Sequence, residues 1–294
     1  HMKIIISKLP KNNWWGNGTP AYSDNPAMQK GSIPDQILLK NEREQLINTL
    51  KLLNLEVIET PFPTKLDGLN PKHDFVYIRD QFISNKNGDV IIMKFRNPER
   101  NKEQNHIIPI LEKLELSISE LPNKPGLFAE GGEFYLCKKE NILFAGNSRT
   151  STSGIDAVAK FLGVTNLIIL KSTVFHLDAY FCPVISKEGD ICAITCCIEE
   201  LTESSKVQLY KFADSKNIPI IRLPNIDGIG SKRNLGSFAV NALPIPGFLI
   251  GPKPFSDDKV VEKLKEIGIE RINTPMSQYA LSGGSVHCCT NEIY

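Results

Sequence analysis

The chain predicts an α/β fold in which a hairpin–helix–strand unit is repeated and closed into a propeller-like ring. Three observations carry that expectation. Amphipathic helical periodicity appears five times. A short apolar strand follows each helix, and a hairpin follows each strand, with Asn87-Gly88, Glu188-Gly189 and Pro246-Gly247 as turn signals. The unit recurs at roughly fifty residues, a period of arrays and rings, and its mixture of strands and helices suits closure better than a helical solenoid. A doubly wound parallel sheet is the competing reading. It fits less well, because the strands arrive in threes between helices and no GxGxxG or GxxxxGK loop is present.

Taken in order, His1-Met2 reads as a tag remnant, leaving a single domain over residues 3–294. Lys3–Lys8, too short for a signal-peptide core, reads as the first strand. The first helix is expected over Ile33–Leu53, with Pro34 near its start and Ile37, Leu38, Leu46, Leu50 and Leu53 apolar; the strand Leu55–Glu59 follows. The second helix, Pro98–Leu114, carries an early proline and leads to Leu116–Glu120. The third, Ser153–Leu162, is opened by a serine, closed by Gly163 and followed by Asn166–Lys171. The fourth, Glu200–Lys216, precedes Ile218–Leu223. The fifth, Ser256–Ile267, takes Ser256 as its N-cap and Gly268 as its stop, before Arg271–Thr274.

Bulk properties narrow the function. The chain has 294 residues and a formal net charge of +1, and no long basic run supports nucleic-acid binding. No apolar run approaches a membrane span. The seven cysteines are odd in number and lack a framework spacing, which suits a reducing, cytoplasmic setting. Cys192, Cys196 and Cys197 lie in an apolar run without a flanking His, so they read as buried strand cysteines rather than metal ligands.

Four polar motifs stand out: Asp80 in FVYIRD, Glu130 in FAEGGE, His176 and Asp178 in FHLDAYF, and Cys288 in the C-terminal LSGGSVHCCT. The pair Gly283-Gly284 allows a close backbone approach to a ligand, and Cys288 is expected at the start of a short strand. Asp80, Glu130, His176, Asn234 and Cys288 lie 50, 46, 58 and 54 residues apart. Each follows a unit's single strand, so a common axis would bring all five together. A Cys with a His permits nucleophilic catalysis, the His moving protons to a leaving group and from water. Several carboxylates around a thiolate are unfavourable on their own and make sense if the substrate is a cation with several N–H donors. A guanidinium fits: it is planar, offers five donors, and is gripped edge-on by carboxylates.

The set Arg79-Asp80, Glu130–Glu133, His176–Asp178 and Gly283–Cys288 resembles the motifs of the guanidino-group-modifying superfamily, which includes dimethylarginine dimethylaminohydrolase, arginine deiminase and the amidinotransferases. The motifs stand in that family's order and span most of the chain. The resemblance implies a five-bladed α/β propeller (a pentein) of pseudo-fivefold ββαβ repeats, with residues 3–294 as one catalytic domain. It implies Cys288 as nucleophile, His176 as general acid then base, Glu130 orienting His176, and Asp80 and Asp178 on the guanidinium. Asp74 would take a substrate α-amino group, and Arg149 and Arg100 its carboxylate. The activity implied is hydrolysis of free arginine or an Nω-methylated arginine to citrulline through a covalent thiouronium adduct, with no metal or other cofactor. The partner implied is a small-molecule substrate, with no nucleic acid and no membrane, in a monomer or homodimer.

Departures from the family pattern leave the substrate open. Dihydrolases of the family carry an Asn where this chain has Asp80, which speaks against removal of both nitrogens. Arg79 resembles the deiminases and amidinotransferases, whereas the chain's length resembles the dimethylarginine hydrolases, since bacterial deiminases carry a further helical insertion. Amidino transfer to an acceptor amine, arginine deiminase proper and a non-catalytic arginine-binding module are the alternatives. Plainer readings also stand. Cys289 rivals Cys288, with strand alternation separating the two. His287 reads as a packing residue, His73 and His106 as surface residues, and Asn234 as a backbone cap in its hairpin. Arg149 has the alternatives of capping the nearby helix or pairing with an acid. Trp14-Trp15-Gly16 reads as a packed staple or a lid.

Overall fold

The computed structural model describes residues 1–12, 14–15 and 22–294. The described residues build five three-stranded sheets. The unit begins with β1 (Lys3–Ser7), α1 (Gln36–Leu52) and β2 (Glu56–Thr60). It continues with β3 (Phe82–Ser84), β4 (Val90–Ile92), α2 (Ile108–Lys113) and β5 (Ile118–Glu120). Next come β6 (Phe134–Cys137), β7 (Ile142–Gly146), α3 (Thr152–Leu162) and β8 (Asn166–Leu170). The fourth sheet uses β9 (Phe181–Ile185), β10 (Ile191–Cys196), α4 (Glu203–Lys216) and β11 (Ile220–Arg222). The fifth uses β12 (Leu243–Ile245), β13 (Phe248–Gly251), α5 (Lys259–Glu266) and β14 (Glu270–Asn273), and β15 (Asn291–Ile293) ends the chain.

In each sheet the middle strand is antiparallel to its hairpin partner and parallel to the strand after the helix, as for β7 between β6 and β8. The parallel pairing needs a crossover, and the helix supplies it. The first sheet departs from the expected hairpin. Its antiparallel partner is β15, so Lys3 lies opposite Ile293 and Ile5 opposite Asn291, and the chain closes on itself by pairing its ends. Neighbouring sheets touch through their first strands: β3 against β15, β6 against β9, and β9 against β12.

Local chemistry sets the helix ends. Asp35 caps α1 by accepting from the backbone N–H groups of Ile37 and Leu38. Ser151, not Ser153, caps α3, and Thr202 caps α4. Ser256 does not cap α5; its N–H and hydroxyl both donate to the Asp227 carboxylate instead. The second helix is shorter than the periodicity predicted, because Pro98–Ile107 is spent on turns and a 3-10 segment, Glu103–His106. Leu39, Leu46 and Leu50 of α1 are fully buried, each contributing about 1.5–3 kcal/mol relative to exposure. Cys196 and Cys197 are buried and unbridged, and Cys192 is partly buried on β10.

One expectation about a single residue fails. His73 is buried rather than at the surface: its Nε2 lies 2.8 Å from an Asp67 carboxylate oxygen, and its Nδ1 accepts the Trp15 backbone N–H. His106 is half-buried. Trp14 and Trp15 stack at 3.4 Å between ring centroids and are buried; Gly16, the third member of that motif, lies outside the described residues. Among the described residues, no helix is long and apolar enough to cross a membrane.

Candidate active site

The turns that enter the sheets carry the site. Asp80 precedes β3, Glu130 precedes β6, His176 and Asp178 precede β9, Asn241 precedes β12, and Cys288 precedes β15. Short 3-10 turns at Ile78–Asp80, Gly131–Glu133 and Leu177–Ala179 hold the first three groups. Cys288 lies in a helical turn rather than on a strand, with the Cys289 N–H bonded to the Ser285 carbonyl, so strand alternation does not separate the two cysteines. Gly132 permits the crowding. A Cβ there would stand 2.6 Å from His176 Nδ1 and 2.7 Å from Asp80 Oδ1. The pair Gly283-Gly284 makes its close approach to Asn25 and the Tyr77 ring.

His176 sits between two carboxylates. Its Nε2 is 2.8 Å from Glu130 Oε1, and its Nδ1 is 3.7 Å from Asp80 Oδ1. Burial disfavours the imidazolium, but Asp80 and Glu130 outweigh it and push the His176 pKa up to about 9. Asp80 accepts the Gly132 N–H at 2.9 Å and an Arg100 N–H at 2.7 Å. Burial raises its pKa, while His176 and Arg100 pull harder, so it stays below the ordinary carboxylate range. Arg100 is held in turn by Glu103, at 2.6 and 3.0 Å, and donates to the Asp74 backbone carbonyl. Glu103 also accepts from Gln81, and its pKa is pushed up to about 7, chiefly by burial.

Cys288 Sγ lies 3.5 Å from Asp178 Oδ2 and accepts an N–H from Asn241 at 3.3 Å. Burial, then the charges of Asp178 and Asp80, push its pKa well above that of an ordinary thiol. Asp178 is itself raised to about 7, chiefly by burial. Its Oδ2 accepts from His287 Nδ1 at 2.8 Å, while its Oδ1 is buried without a partner among the described residues. His287 stacks on Tyr135 at 4.3 Å, and burial keeps it neutral.

Asp74 accepts from the Trp15 indole at 2.5 Å and from the Ser282 hydroxyl at 3.2 Å. Arg149 is buried, with one guanidinium nitrogen 3.6 Å from Glu130 and a bidentate pair to Asp24. Asp80, Glu130, His176, Asp178 and Cys288 thus meet in one buried cluster, and Arg100 and Arg149 each join it through a carboxylate.

Asn234 does not meet them. It belongs to the turn that bridges Gly230 to Leu235, where its N–H bonds to Ser231. Asn241 occupies the equivalent place, and besides Cys288 it contacts the Asp178 carbonyl and the His287 N–H. The long excursion between β11 and β12 breaks the even spacing that had selected Asn234. Position directly before the first strand of a sheet is the signal that finds Asn241.

The sheet architecture and the Cys-His-carboxylate cluster place the protein among the guanidino-group-modifying enzymes. Within that class the chain belongs to the N,N dimethylarginine dimethylhydrolase family, whose eukaryotic profile matches residues 40–294. The N-terminal domain of ArgZ, an arginine dihydrolase of the ornithine–ammonia cycle in cyanobacteria, solved bound to substrate, superposes with a TM-score of 0.80 at 20% identity, covering 99% of this chain and 98% of that one. A dimethylarginine dimethylaminohydrolase solved as an adduct with 4-chloro-2-hydroxymethylpyridine gives 0.68 at 16% identity over the whole of both chains. At these identities the likeness is one of fold. In sequence, the bifunctional arginine dihydrolase/ornithine cyclodeaminase AgrE of Nostoc sp. is 23% identical over 208 residues, covering 70% of this chain but 27% of AgrE. The chain therefore spans about a quarter of that relative's length.

Proposed function

We propose that the protein hydrolyses the guanidinium group of free arginine or an Nω-methylated arginine, giving citrulline and ammonia or a methylamine. One observation carries this reading. A buried thiol is surrounded by carboxylates that hold it protonated, an arrangement that becomes productive only when a cation enters among them. Asp80 and the unpartnered Oδ1 of Asp178 are the groups offered to the guanidinium nitrogens. Asp74 is assigned the α-amino group, and Arg149 and Arg100 the α-carboxylate.

Entry of the cation lowers the cost of the thiolate, so the Cys288 thiol releases its proton to solvent and Sγ adds to the guanidinium carbon. His176, already an imidazolium, donates a proton to the departing nitrogen, whose C–N bond breaks to leave a thiouronium. Neutral His176 then takes a proton from water as its oxygen adds to the same carbon. Collapse breaks the C–S bond, and the remaining hydroxyl proton passes to sulfur, returning the thiol with citrulline. Glu130 keeps His176 oriented and charged. We further propose that residues 3–294 form one catalytic domain, a five-bladed α/β propeller. The ββαβ order of four sheets and the β1–β15 pairing that completes the other support this.

The test is citrulline formation from arginine, monomethylarginine and dimethylarginine, run beside Cys288→Ser. Full turnover by Cys288→Ser overturns the nucleophile assignment. Ornithine is assayed in parallel, because the similar solved structures include arginine dihydrolases; Asp80, where the dihydrolases carry an Asn, predicts that none forms.

A further inference from the structure

Arg149, assigned with Arg100 to the substrate carboxylate, is deeply buried, with 2% of its side chain exposed. Its fork is nevertheless already filled. Asp24 accepts from Nε at 2.9 Å and from Nη2 at 2.6 Å, the bidentate geometry that a free amino acid's carboxylate would adopt. Burial raises the Asp24 pKa, but the hydrogen bonds and charge of Arg149 bring it below its usual value, so Asp24 meets Arg149 as an anion.

The two partners are unequally placed. Asp24 keeps a third of its side chain in solvent, at 33%, while Arg149 has almost none. Asp24 is also flanked by side chains that pack onto the site. The Arg149 guanidinium lies 5.2 Å from the Tyr22 ring centroid and 4.8 Å from that of Phe175. Asn25 donates to the Ser282 carbonyl, beside the hydroxyl that bonds Asp74.

Resting on the proposed function, we propose that Asp24 is a built-in carboxylate that occupies the substrate's α-carboxylate seat on Arg149, so that a guanidine bearing a carboxylate binds by displacing it. The displaced anion has solvent to enter, whereas Arg149 has none and exchanges one carboxylate for another. A guanidine without a carboxylate, such as agmatine, leaves the pair intact. Asp24 is thus a specificity-determining residue: it taxes the binding of carboxylate-bearing substrates and leaves others untouched.

The experiment compares KM for arginine and agmatine in the wild type and in Asp24→Asn and Asp24→Glu. Asp24→Asn is expected to lower the arginine KM relative to the agmatine KM by about fivefold or more, with the change in KM rather than kcat. Asp24→Glu, which keeps the anion, is expected to stay near the wild-type ratio. An unchanged ratio, or an arginine KM raised by Asp24→Asn, overturns the proposal. A crystal structure of Cys288→Ser with arginine needs no change at Asp24. The substrate carboxylate on Arg149 with Asp24 released supports the proposal, and Asp24 still bidentate on Arg149 refutes it. Failure of the wild type to form citrulline from any arginine would instead refute the proposed function.

Discussion

Asp178 shows how the site is built one residue at a time. One oxygen is held by His287 and faces the Cys288 sulfur, and the other waits without a partner. His287 is neutral and stacked, so its Nδ1–H is a fixed donor that aims the carboxylate. His287→Ala is expected to lower kcat/KM roughly 10- to 100-fold, the worth of a hydrogen bond to a charged group. His287→Asn, which keeps a donor near that point, is expected to recover most of the loss; an equal loss in both variants would deny the aiming role. The pH profile of kcat/KM follows from the same neighbours. Below about 7 Asp178 is neutral and cannot grip a cation, so activity rises through that pH. Above about 9 His176 lacks the proton that the leaving nitrogen needs, so activity falls there. Asp178→Asn should abolish the rising limb; its survival would assign that limb to Glu103 or Glu133, which also titrate near 7. Residues with motif context were legible in sequence. Asn241, Asp24, Glu103 and the buried His73 were not, because their roles come from partners distant in the chain and from no local pattern.

At the scale of elements, the turn before β3 and the segment leading into β15 are tied by Arg79. Its backbone N–H donates to the Cys288 carbonyl, and its guanidinium holds Glu292 at 2.6 and 2.5 Å and reaches the His287 carbonyl. The pair is largely buried, so removing one partner strands the other. Breaking such a pair costs about 3–5 kcal/mol, which for a chain of this size lowers Tm by roughly 5–10 °C. Arg79→Met is expected to show that loss in a thermal melt, together with reduced citrulline formation as the Cys288 turn loosens. A Tm within two degrees of wild type would mean that the tie adds no stability of its own. The helices and the strands after them were readable because amphipathic period and caps are local signals. The failures share a cause. Ser256 lost its capping role to Asp227, and the expected first hairpin gave way to β15, both through contacts that no window of sequence contains.

At the scale of the whole molecule, the pairing of β1 with β15 makes the two ends neighbours and leaves every sheet built alike. If the five sheets close as proposed, no point on the ring is privileged as a beginning, and the chain can be reopened where a turn is exposed. The pattern of elements gave the repeats and their closure into a ring, the resemblance in sequence gave the ββαβ order, and neither placed β15 beside β1. A circular permutant that joins Ile293 to Lys3 through a short flexible linker, and opens at the exposed Lys187-Glu188 of the β9–β10 turn, keeps all five sheets and all the site turns. It is expected to melt cooperatively within about 10 °C of the parent, since it loses only one turn's closure entropy, and to form citrulline at a comparable rate. Opening instead between β14 and Cys288 keeps every strand pair but frees the turn that carries the nucleophile, so that permutant should fold and turn over poorly. If the first permutant does not fold, the ends are doing more than closing a ring, and β1–β15 is a nucleus whose covalent order matters.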